Sequence, residues 1–386
     1  MKMLVTGASG FIGKNIIATL QTMQRGNLPT PEALAPIEIL PFDLDTPEEK
    51  LDEYASLADF VLHLAGINRP KDESEFMAGN FGFTSALLDA LKNHNNKAPI
   101  LITSSIQATL ENPYGKSKKA GEDLLRAFGE DNGVQTLIYR LPNVFGKWSR
   151  PNYNSAVATF CHNIARDLPI TVNDASYELN LVYVDDVVGE MINAMCCRGT
   201  VDEYGNPTVY PVHKVRLGQI VELLESFRDS RTDLSLPDTS DAFARKLHAT
   251  YLSFLPTDCF SYDLRSNVDN RGSFTEVFKT PDRGQFSVNI QHAGITKGEH
   301  WHHTKNEKFL VVAGTGVIRF RPINGTDIIA YHVDGSKLEV VDIPPGYTHN
   351  IENLGNTDLV TLMWANENFD PNRPDTYFLK VENQDA

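Results

Sequence analysis

The sequence of 386 residues predicts two folds in one chain, a doubly wound parallel α/β sheet followed by an all-β sandwich or barrel. Up to about residue 212, short apolar runs alternate with helical patterns, as in a parallel sheet with helices on both faces. Beyond about residue 251, strand-like runs are separated by turn clusters. The chain is also longer than one hydrophobic core usually organises. We therefore expect two domains, at residues 1–245 and 251–386.

The strands of the first half are continuous apolar runs, as expected for strands buried on both faces of a sheet. Amphipathic helices are predicted between them at residues 11–24 and 117–128, and residues 214–250 look helical and polar with a break at DSRTDLSLPDTSD. The strand runs, in chain order, are MLVT, IEIL, FVLHLA, ILITS and TLIYR.

The strand runs of the second half are bounded by the turn clusters TPDRG, AGTG, NGT, PPG and NLGNT. Such regular spacing of short strands and turns is typical of an antiparallel all-β domain. These runs are FTEVF, FSVNI, KFLVV, VIRFR, LEVVDI and LVTLMWA.

The composition excludes several classes of partner. Lys and Arg number 35 and Asp and Glu 50, which gives a net charge of −15 and disfavours nucleic acid or an anionic membrane surface. No apolar run is long enough to span a bilayer, and the N-terminus lacks a secretory pattern. The four cysteines show no framework spacing, so we expect a cytoplasmic protein with reduced thiols, no nucleic-acid partner and no membrane insertion.

A glycine-rich segment, TGASGFIG, follows the first predicted strand and precedes a helix. Gly7, Gly10 and Gly13 allow a tight turn and a close approach of the backbone to a pyrophosphate at the helix N-terminus. This pattern predicts a Rossmann-type dinucleotide site, although the spacing is GxxGxxG rather than GxGxxG. A glycine-rich turn without a ligand is the alternative.

The stretch NPYGKSK places Tyr114 and Lys118 four residues apart, and hence on one face of a helix. An ammonium beside a phenol favours the phenolate, so we expect Lys118 to lower the Tyr114 pKa toward the range useful for proton transfer. Ser104 and Ser105 end the preceding strand, where a hydroxyl polarises a carbonyl. An ordinary amphipathic helix start is the alternative for the Tyr–Lys pair.

These motifs, taken in order with HLAG, RLPNVFG and YVDDV, resemble the extended short-chain dehydrogenase/reductase family over about residues 1–245. The resemblance implies that Tyr114 donates or accepts the proton, that Lys118 holds the nicotinamide ribose, and that Ser105, rather than Ser104, bonds the reacting oxygen. The cofactor-binding residues that it implies are Gly7, Gly10, Phe11, Ile12, Gly13, Asp43, Leu64, Ala65, Gly66, Tyr114 and Lys118, and the substrate-binding residues are Asn80, Arg140 and Asn143.

The choice between NAD and NADP rests on the end of the second strand. An acidic residue there binds the ribose 2′-OH of NAD, whereas an arginine favours NADP. The segment carries Asp43 and no arginine. Asp43 is equally well interpreted as an N-terminal acid of the helix at TPEEKL, where the helix dipole favours negative charge.

Histidines are concentrated in GITKGEHWHHTKNEKFLVVAG, residues 294–314. In a strand, His300 and His302 lie on one face, while Glu307 returns from the following turn and His349 follows a second turn, PPGYT. Three imidazoles and one carboxylate suit a first-row transition metal with open coordination positions. A polar strand face with incidental histidines is the alternative, and His292, His303 and His332 are not expected to be ligands.

The spacing G-x5-HxH-x4-E-x6-G and the later PPG-x2-H-x3-N resemble the two motifs of the cupin superfamily, so the second domain is expected to be an all-β cupin barrel. VDNRGSFTEVF is similar to nucleotide-sugar epimerases of that superfamily, in which the histidine matching His300 is a base without a metal. His300 therefore has two incompatible candidate roles, and the complete ligand set favours the metal. Arg271 or Lys297 is a candidate to hold a diphosphate.

Taken over its full length, the sequence resembles the CapF/WbjC family of capsular and O-antigen polysaccharide enzymes, including PNYNS, SLPDT, HWHHTKNEKFLVV, GYTHNIENLG and DPNRPDTYFL. The resemblance implies C3 epimerisation of a UDP-2-acetamido-2,6-dideoxy-hexos-4-ulose in the cupin domain, then C4 reduction to UDP-N-acetyl-6-deoxy-talosamine on the way to N-acetyl-L-fucosamine. It also implies NADPH, zinc and a homodimer; NADH and another first-row divalent metal remain open.

Two functions from other classes are the alternatives. One is an epimerase or dehydratase that retains its NAD and uses the cupin domain only to bind sugar. The other is a nonenzymatic redox sensor, which the complete set of Ser105, Tyr114 and Lys118 argues against.

Overall fold

The computed structural model describes residues 1–70 and 72–382, and the chain divides into two compact units. The first unit comprises Met1–Glu225 and Thr239–Pro256, and the second comprises Ser226–Asp238 with the described residues from Thr257 onward. The segment Ser226–Asp238 belongs with the second unit because its backbone pairs there: Lys279 N donates to Leu234 O at 2.8 Å, and Leu236 N donates to Lys279 O at 2.9 Å. The domain boundaries expected near residues 245–251 stay a prediction. The last residues of the predicted second domain, 383–386, lie outside the described residues.

The first unit is built on a parallel five-stranded sheet of order β2-β1-β3-β4-β5, and a second sheet joins β6, β7 and β8. The strands are β1 (Lys2–Thr6), β2 (Glu38–Phe42), β3 (Phe60–His63), β4 (Ile100–Ser105), β5 (Thr136–Leu141), β6 (Asn143–Phe145), β7 (Glu178–Tyr183) and β8 (His213–Arg216). The helices are α1 (Phe11–Gln24), α2 (Glu49–Leu57), α3 (Ser74–Met77), α4 (Phe83–Asn93), α5 (Pro113–Asn132), α6 (Ala156–Ile164), α7 (Val184–Met195), α8 (Leu217–Asp233) and α9 (Ala242–Leu252).

Alternation along β1 explains why helices cover both faces of this sheet. Met3 and Val5 are buried in one apolar cluster with α1 and α7, whereas Leu4 between them is buried in the other cluster with α2, α4 and α5. Because β2 lies on one side of β1 and β3 on the other, the winding reverses at β1, and ligands of such sheets bind at that reversal. The Rossmann-type prediction for the first half is confirmed.

Helix α5 covers the helix predicted at residues 117–128 and extends beyond it at both ends. Asn112 caps it, since its Oδ1 accepts a hydrogen bond from Gly115 N at 2.7 Å, and Pro113 occupies the first helical turn. The helix ends at Gly133, whose φ of 62° is left-handed. Tyr114 therefore lies in the first turn of a 20-residue helix rather than before a shorter one at residues 117–128.

The second unit is all-β, with antiparallel sheets of order β16-β13-β18-β11-β10-β9 and β15-β14-β17-β12-β19. Phe309, Val311, Ile318, Phe320 and Ile351 are among the side chains buried in its core. The all-β prediction is confirmed. The strands are β9 (Ser266–Asp269), β10 (Gly272–Thr280), β11 (Gly284–Gln291), β12 (Thr296–Trp301), β13 (Glu307–Ala313), β14 (Thr315–Pro322), β15 (Ile329–Asp334), β16 (Val340–Ile343), β17 (Tyr347–Asn353), β18 (Leu359–Ala365) and β19 (Tyr377–Phe378).

Within residues 1–70 and 72–382, no helix is both long enough and apolar enough to cross a lipid bilayer.

Candidate active site and metal centre

The glycine segment forms a tight cradle between β1 and α1. Gly7 has φ 69°, and a Cβ there would lie 2.7 Å from Ala65 N, so only glycine fits between this turn and the end of β3. A Cβ on Gly13 would overlap Gly7 O, whereas one on Gly10 would lie 3.0 Å from the same oxygen and project from an exposed position. The cradle lies at the carboxyl end of β1 and opens α1, and this arrangement fits a dinucleotide pyrophosphate.

Other residues predicted to bind the cofactor surround this cradle. Phe11 and Ile12 are the first residues of α1 and are partly buried, and Leu64–Gly66 follow β3. The structure therefore brings the glycine loop and the segment after β3 together.

Asp43 follows β2 and binds the glycine loop directly. Its Oδ2 accepts a hydrogen bond from Ser9 N at 2.6 Å, and its Oδ1 accepts one from Leu44 N at 2.8 Å. Helix α2 begins six residues later, at Glu49, so the interpretation of Asp43 as an N-terminal acid of that helix is wrong. This position at the end of β2 fits the predicted contact with an adenosine ribose, which stays a prediction.

Tyr114, Ser105 and Lys118 meet at the carboxyl end of β4. A hydrogen bond joins the Tyr114 phenol to the Ser105 side chain, while Lys118 Nζ donates to Thr103 O at 3.3 Å. Lys118 is buried, and its Nζ would lie 2.8 Å from a Cβ on Gly66, in the segment after β3. The arrangement fits a proton-transfer group beside a dinucleotide site.

The expectation that Lys118 lowers the Tyr114 pKa is not met. Burial raises the Tyr114 pKa, and the hydrogen bond with Ser105 opposes this only in part. Burial also lowers the Lys118 pKa to about 8, against the attraction of Glu122. The physical reason is that desolvation disfavours both charged forms, and the ammonium is directed to a backbone carbonyl.

Ser104 and Ser105 have different surroundings, which supports the choice of Ser105. Ser104 Oγ is buried and donates to Glu122 Oε1 at 2.6 Å, so its proton is used inside the fold. Ser105 is half-buried and accepts a hydrogen bond from Gln107 N at 3.2 Å in addition to its bond with Tyr114.

Glu122 is a residue that the sequence analysis did not single out. Its side chain is fully buried and binds Arg140 through two bonds, Nε to Oε1 at 2.8 Å and Nη2 to Oε2 at 2.6 Å. Glu122 lies eight residues after Tyr114 on the same helix face, a spacing that could have indicated it. Because the Arg140 guanidinium is paired in this way, its predicted contact with substrate stays a prediction, and the geometry supports a role in holding β5 against α5.

Asn80 is likewise occupied by protein contacts. Its Oδ1 accepts a hydrogen bond from Ile67 N at 2.9 Å, and its Nδ2 donates to Ile67 O at 3.1 Å and Ser117 Oγ at 3.0 Å. This amide links the segment after β3 to α5, so the geometry supports a positioning role, and its predicted substrate contact stays a prediction. Asn143 begins β6 and is exposed.

In the second unit, the structure brings the four predicted metal ligands together. His300, His302, Glu307 and His349 each offer a ligand atom, and these atoms all lie within 4.8 Å of one another. His300 and His349 are adjacent because their strands pair at that register, with ring centroids 4.5 Å apart. Trp301 and His303 pack together elsewhere, with ring centroids 4.5 Å apart, as the alternation of a strand requires.

The chemistry of this cluster fits a divalent metal. His302 Nε2 and His349 Nε2 each lie 3.5 Å from Glu307 Oε2, and all three atoms are buried without a hydrogen-bond partner among the described residues. Burial, together with the His349 charge, lowers the His300 pKa to about 4, so its imidazole is neutral near pH 7. Burial raises the Glu307 pKa, but the attraction of the neighbouring His302 and His349 side chains outweighs burial and holds the pKa well below its usual range. Three imidazoles and a carboxylate with orphaned ligand atoms are what a zinc-type site requires.

A cavity of about 110 Å³ lies next to the cluster and shares Glu307 with it. Gln285 and Ser287 line it from β11, and Asn289 continues this buried polar row. The sequence run FSVNI predicts the strand but does not show that its polar residues face inward. The remaining lining residues are Phe274, Lys305, Met363, Trp364, Ala365, Glu367 and Phe369.

The two candidates for a diphosphate contact differ. Arg271 is paired with Asp269, Nη2 to Oδ2 at 2.6 Å, in an exposed turn. Lys297 Nζ donates to Asn289 Oδ1 at 2.8 Å, at the end of the buried polar row.

Comparison with known proteins matches the two parts of the chain to two different families. Residues 3–197 match the NAD dependent epimerase/dehydratase family, and residues 267–377 match the polysaccharide biosynthesis C-terminal domain. A Pseudomonas aeruginosa protein, UDP-2-acetamido-2,6-beta-L-arabino-hexul-4-ose reductase, is 46% identical over 381 residues, which are 99% of each chain. GDP-6-deoxy-D-mannose reductase of the same species is 28% identical over 59% of this chain and 79% of its own.

Among solved structures, the chain is similar to the capsular polysaccharide assembling protein CapF from Staphylococcus aureus. The sequence identity is 55% and the TM-score is 0.91, over 98% of this chain and 100% of that one. Both halves of the fold are therefore shared with one known protein.

Proposed function

The chain belongs to the NAD dependent epimerase/dehydratase family, and on that premise we propose that it is a bifunctional nucleotide-sugar enzyme. Its second unit, a cupin, epimerises C3 of a UDP-2-acetamido-2,6-dideoxy-hexos-4-ulose, and its first unit reduces C4 to give UDP-N-acetyl-6-deoxy-talosamine. The product leads to N-acetyl-L-fucosamine of capsule or O-antigen. The full-length similarity to a UDP-sugar reductase and to a capsular polysaccharide protein supports this proposal.

One observation supports a two-step reaction: each unit contains its own candidate site. The first contains Tyr114 with its hydroxyl and ammonium neighbours beside a glycine cradle. The second contains a buried set of three imidazoles and a carboxylate next to a polar cavity. Both half-reactions need the C4 carbonyl, which is acidifying for C3 in one and the hydride acceptor in the other.

In the reductase site, the residues around the glycine cradle would hold a dihydronicotinamide cofactor, which would supply the hydride for C4. Ser105 donates a hydrogen bond to the C4 oxygen, and Tyr114 gives that oxygen its proton as the carbonyl electrons move onto it. Lys118 binds the nicotinamide ribose. The raised Tyr114 pKa keeps the phenol protonated before the step, as a proton donor must be.

In the cupin site, His300, His302, Glu307 and His349 would hold zinc or another first-row divalent metal. A bound divalent ion supplies Lewis acidity to the C4 carbonyl, which makes the C3 proton easier to remove. The cavity residues Gln285 and Ser287 hold the sugar beside the cluster. The proton leaves C3 from one face and returns to the other, so no net redox change occurs.

NADPH is the proposed cofactor, with NADH as the alternative that Asp43 favours. The carboxylate binds the glycine loop at the end of β2, where it would accept a ribose 2′-OH and repel a 2′-phosphate. Parallel titrations with the two reduced cofactors distinguish them. We further propose a homodimer that works in the cytoplasm, where reduced dinucleotides and UDP-sugars are available.

The test is incubation with a UDP-4-keto-6-deoxy-hexosamine and NADPH in D₂O, followed by NMR of the product. We expect deuterium at C3, inverted C3 configuration and one NADPH oxidised per sugar reduced at C4. A product that forms while the nicotinamide stays unchanged overall would instead support an epimerase or dehydratase with a retained NAD. Absence of turnover with tight cofactor binding would support the redox sensor.

A further inference from the structure

The C-terminal segment Asp375–Val381, which we call the C-terminal strap, lies against the sheet that carries two of the clustered histidines. Its strand β19 pairs with β12, with His300 opposite Phe378 and Trp301 opposite Tyr377. The strap is thus hydrogen-bonded to the strand that leads into the cluster.

Buried polar groups fasten the far end of the strap. Arg321 is 4% exposed, and its guanidinium donates to Val381 O at 2.8 Å and Lys380 O at 2.7 Å. Thr348 Oγ1 donates to Leu379 O, and Glu299 Oε2 accepts a hydrogen bond from Val381 N at 2.6 Å. Thr348 precedes His349 on β17, so the strap binds the face opposite the histidine face.

The near end of the strap is Asp375, and its carboxylate holds the turn between His302 and Glu307. The backbone N–H groups of His303, Thr304 and Lys305 donate to this carboxylate at 3.0, 2.9 and 2.8 Å. Asp375 is a non-glycine residue with φ 40°, a conformation that persists only where surrounding contacts fix it.

The backbone carbonyl of the same residue binds His302. His302 Nδ1 lies 2.6 Å from Asp375 O, and a carbonyl can only accept, so Nδ1 carries the proton. The lone pair is therefore on Nε2, which lies 3.5 Å from Glu307 Oε2 in the cluster. His349 Nδ1, by contrast, has no hydrogen-bond partner among the residues described.

We propose that Asp375 is a positioning residue: its carbonyl fixes the tautomer of His302, and its carboxylate fixes the turn that sets His302 against Glu307. The C-terminal strap thereby raises the metal affinity of the cluster from outside the ligand set. This inference rests on the proposed metal site. Outer contacts of this kind commonly change metal affinity about 10–100-fold.

The first test measures zinc affinity of the full-length chain by competition with a chromophoric chelator. We expect Asp375→Ala to weaken zinc about 10-fold or more, since it frees three turn N–H groups and releases the carbonyl. Asp375→Asn keeps an acceptor and tolerates a positive φ, so its loss is expected to be smaller. Asp370→Ala is the matched control, because among the described residues this carboxylate accepts a hydrogen bond within its own turn, from Asn372 N at 2.9 Å, and makes no contact with the histidine cluster.

Asp375→Ala that remains folded, binds zinc within twofold of wild type and behaves like Asp370→Ala would overturn the proposal. Should Asp375→Ala fail to fold, wild-type protein decides the question. In metal-free, ¹⁵N-histidine-labelled chain, NMR is expected to show His302 with Nδ1 protonated and Nε2 bare. The opposite tautomer overturns the proposal. A wild-type chain that binds no zinc while showing the expected tautomer would refute the metal site, and with it the effect of the strap on metal affinity, and would leave only the tautomer assignment standing.

Discussion

Burial favours the neutral form of both titratable groups in the reductase site. It raises the Tyr114 pKa and lowers the Lys118 pKa to about 8. The phenol therefore stays a proton donor across the physiological range, and Lys118 is the group that changes charge nearest to neutral pH. This division of roles leads to two predictions on single residues.

Tyr114→Phe is expected to abolish C4 reduction while leaving dinucleotide binding intact. The phenol is the proposed proton donor, and loss of general acid catalysis typically costs ~10²–10⁴-fold in rate. NADPH oxidation and cofactor affinity by calorimetry are the two measurements, with exposed Tyr204→Phe as the control. NADPH oxidation near the wild-type rate in Tyr114→Phe would refute this role.

The rate of reduction is expected to fall as pH rises through about 8. Lys118 is charged below its pKa and neutral above it, and the ammonium is the form proposed to bind the nicotinamide ribose, so activity is expected to be present below about pH 8 and lost above it. The kcat/KM profile reports this limb for the free enzyme. In Lys118→Arg, whose side chain stays charged, any residual activity is expected to show no decline above about pH 8. A wild-type kcat/KM profile that is flat to about pH 10 would contradict the prediction.

At the scale of elements, the turn from β1 to α1 contains glycines that the fold requires and one glycine that the proposed cofactor requires. Gly7 and Gly13 are required by the fold itself, because a Cβ on either would meet backbone atoms. Gly10 is exposed and has φ −71°, which any residue adopts, and a Cβ there would press only on Gly7 O, at 3.0 Å, so a side chain at Gly10 disturbs the fold less than one at Gly7 or Gly13 and faces the proposed pyrophosphate.

Gly10→Val is therefore expected to weaken dinucleotide binding at least tenfold without unfolding the chain. Its branched side chain would occupy the space through which the pyrophosphate approaches the backbone. Calorimetric cofactor titration and a thermal melt measure the two effects, and Gly189→Val, in open space on α7, is the control. Unchanged cofactor affinity would count against this loop as the binding site.

At the scale of the whole molecule, the two sites belong to different units and are expected to fail separately. His302→Ala combined with Glu307→Ala removes two of the four ligands, so we expect loss of bound metal and of solvent-deuterium exchange at C3. Slow NADPH oxidation is expected to persist, because Tyr114 lies in the other unit. Elemental analysis, NMR exchange and absorbance at the nicotinamide band measure these three properties.

One result would contradict the hypothesis that the cluster binds a metal. If the wild-type chain showed full C3 exchange with no stoichiometric metal, His300 would instead be assigned as the base. Asn289→Ala, further along the polar row, is a control that leaves all four ligands in place.

Local sequence was sufficient for the features that depend on neighbouring residues. Asn112 and Pro113 start a helix wherever they precede a helical pattern, and they place Tyr114 and Lys118 on one face. Strand alternation likewise separates His300 and His302 from Trp301 and His303. Both rules act over a few residues, so the sequence alone determined the fold class and the candidate residues of each site.

Only the tertiary structure decided what those residues contact. Glu122 is a polar residue on a helix by sequence, and only the packing shows that it is buried against Arg140 and Ser104. Asp375 lies 73 residues from His302, and no local pattern connects them. The Tyr114 pKa was misjudged for the same reason, since its largest cause is desolvation by burial, and burial is set by packing between segments that are distant in the chain.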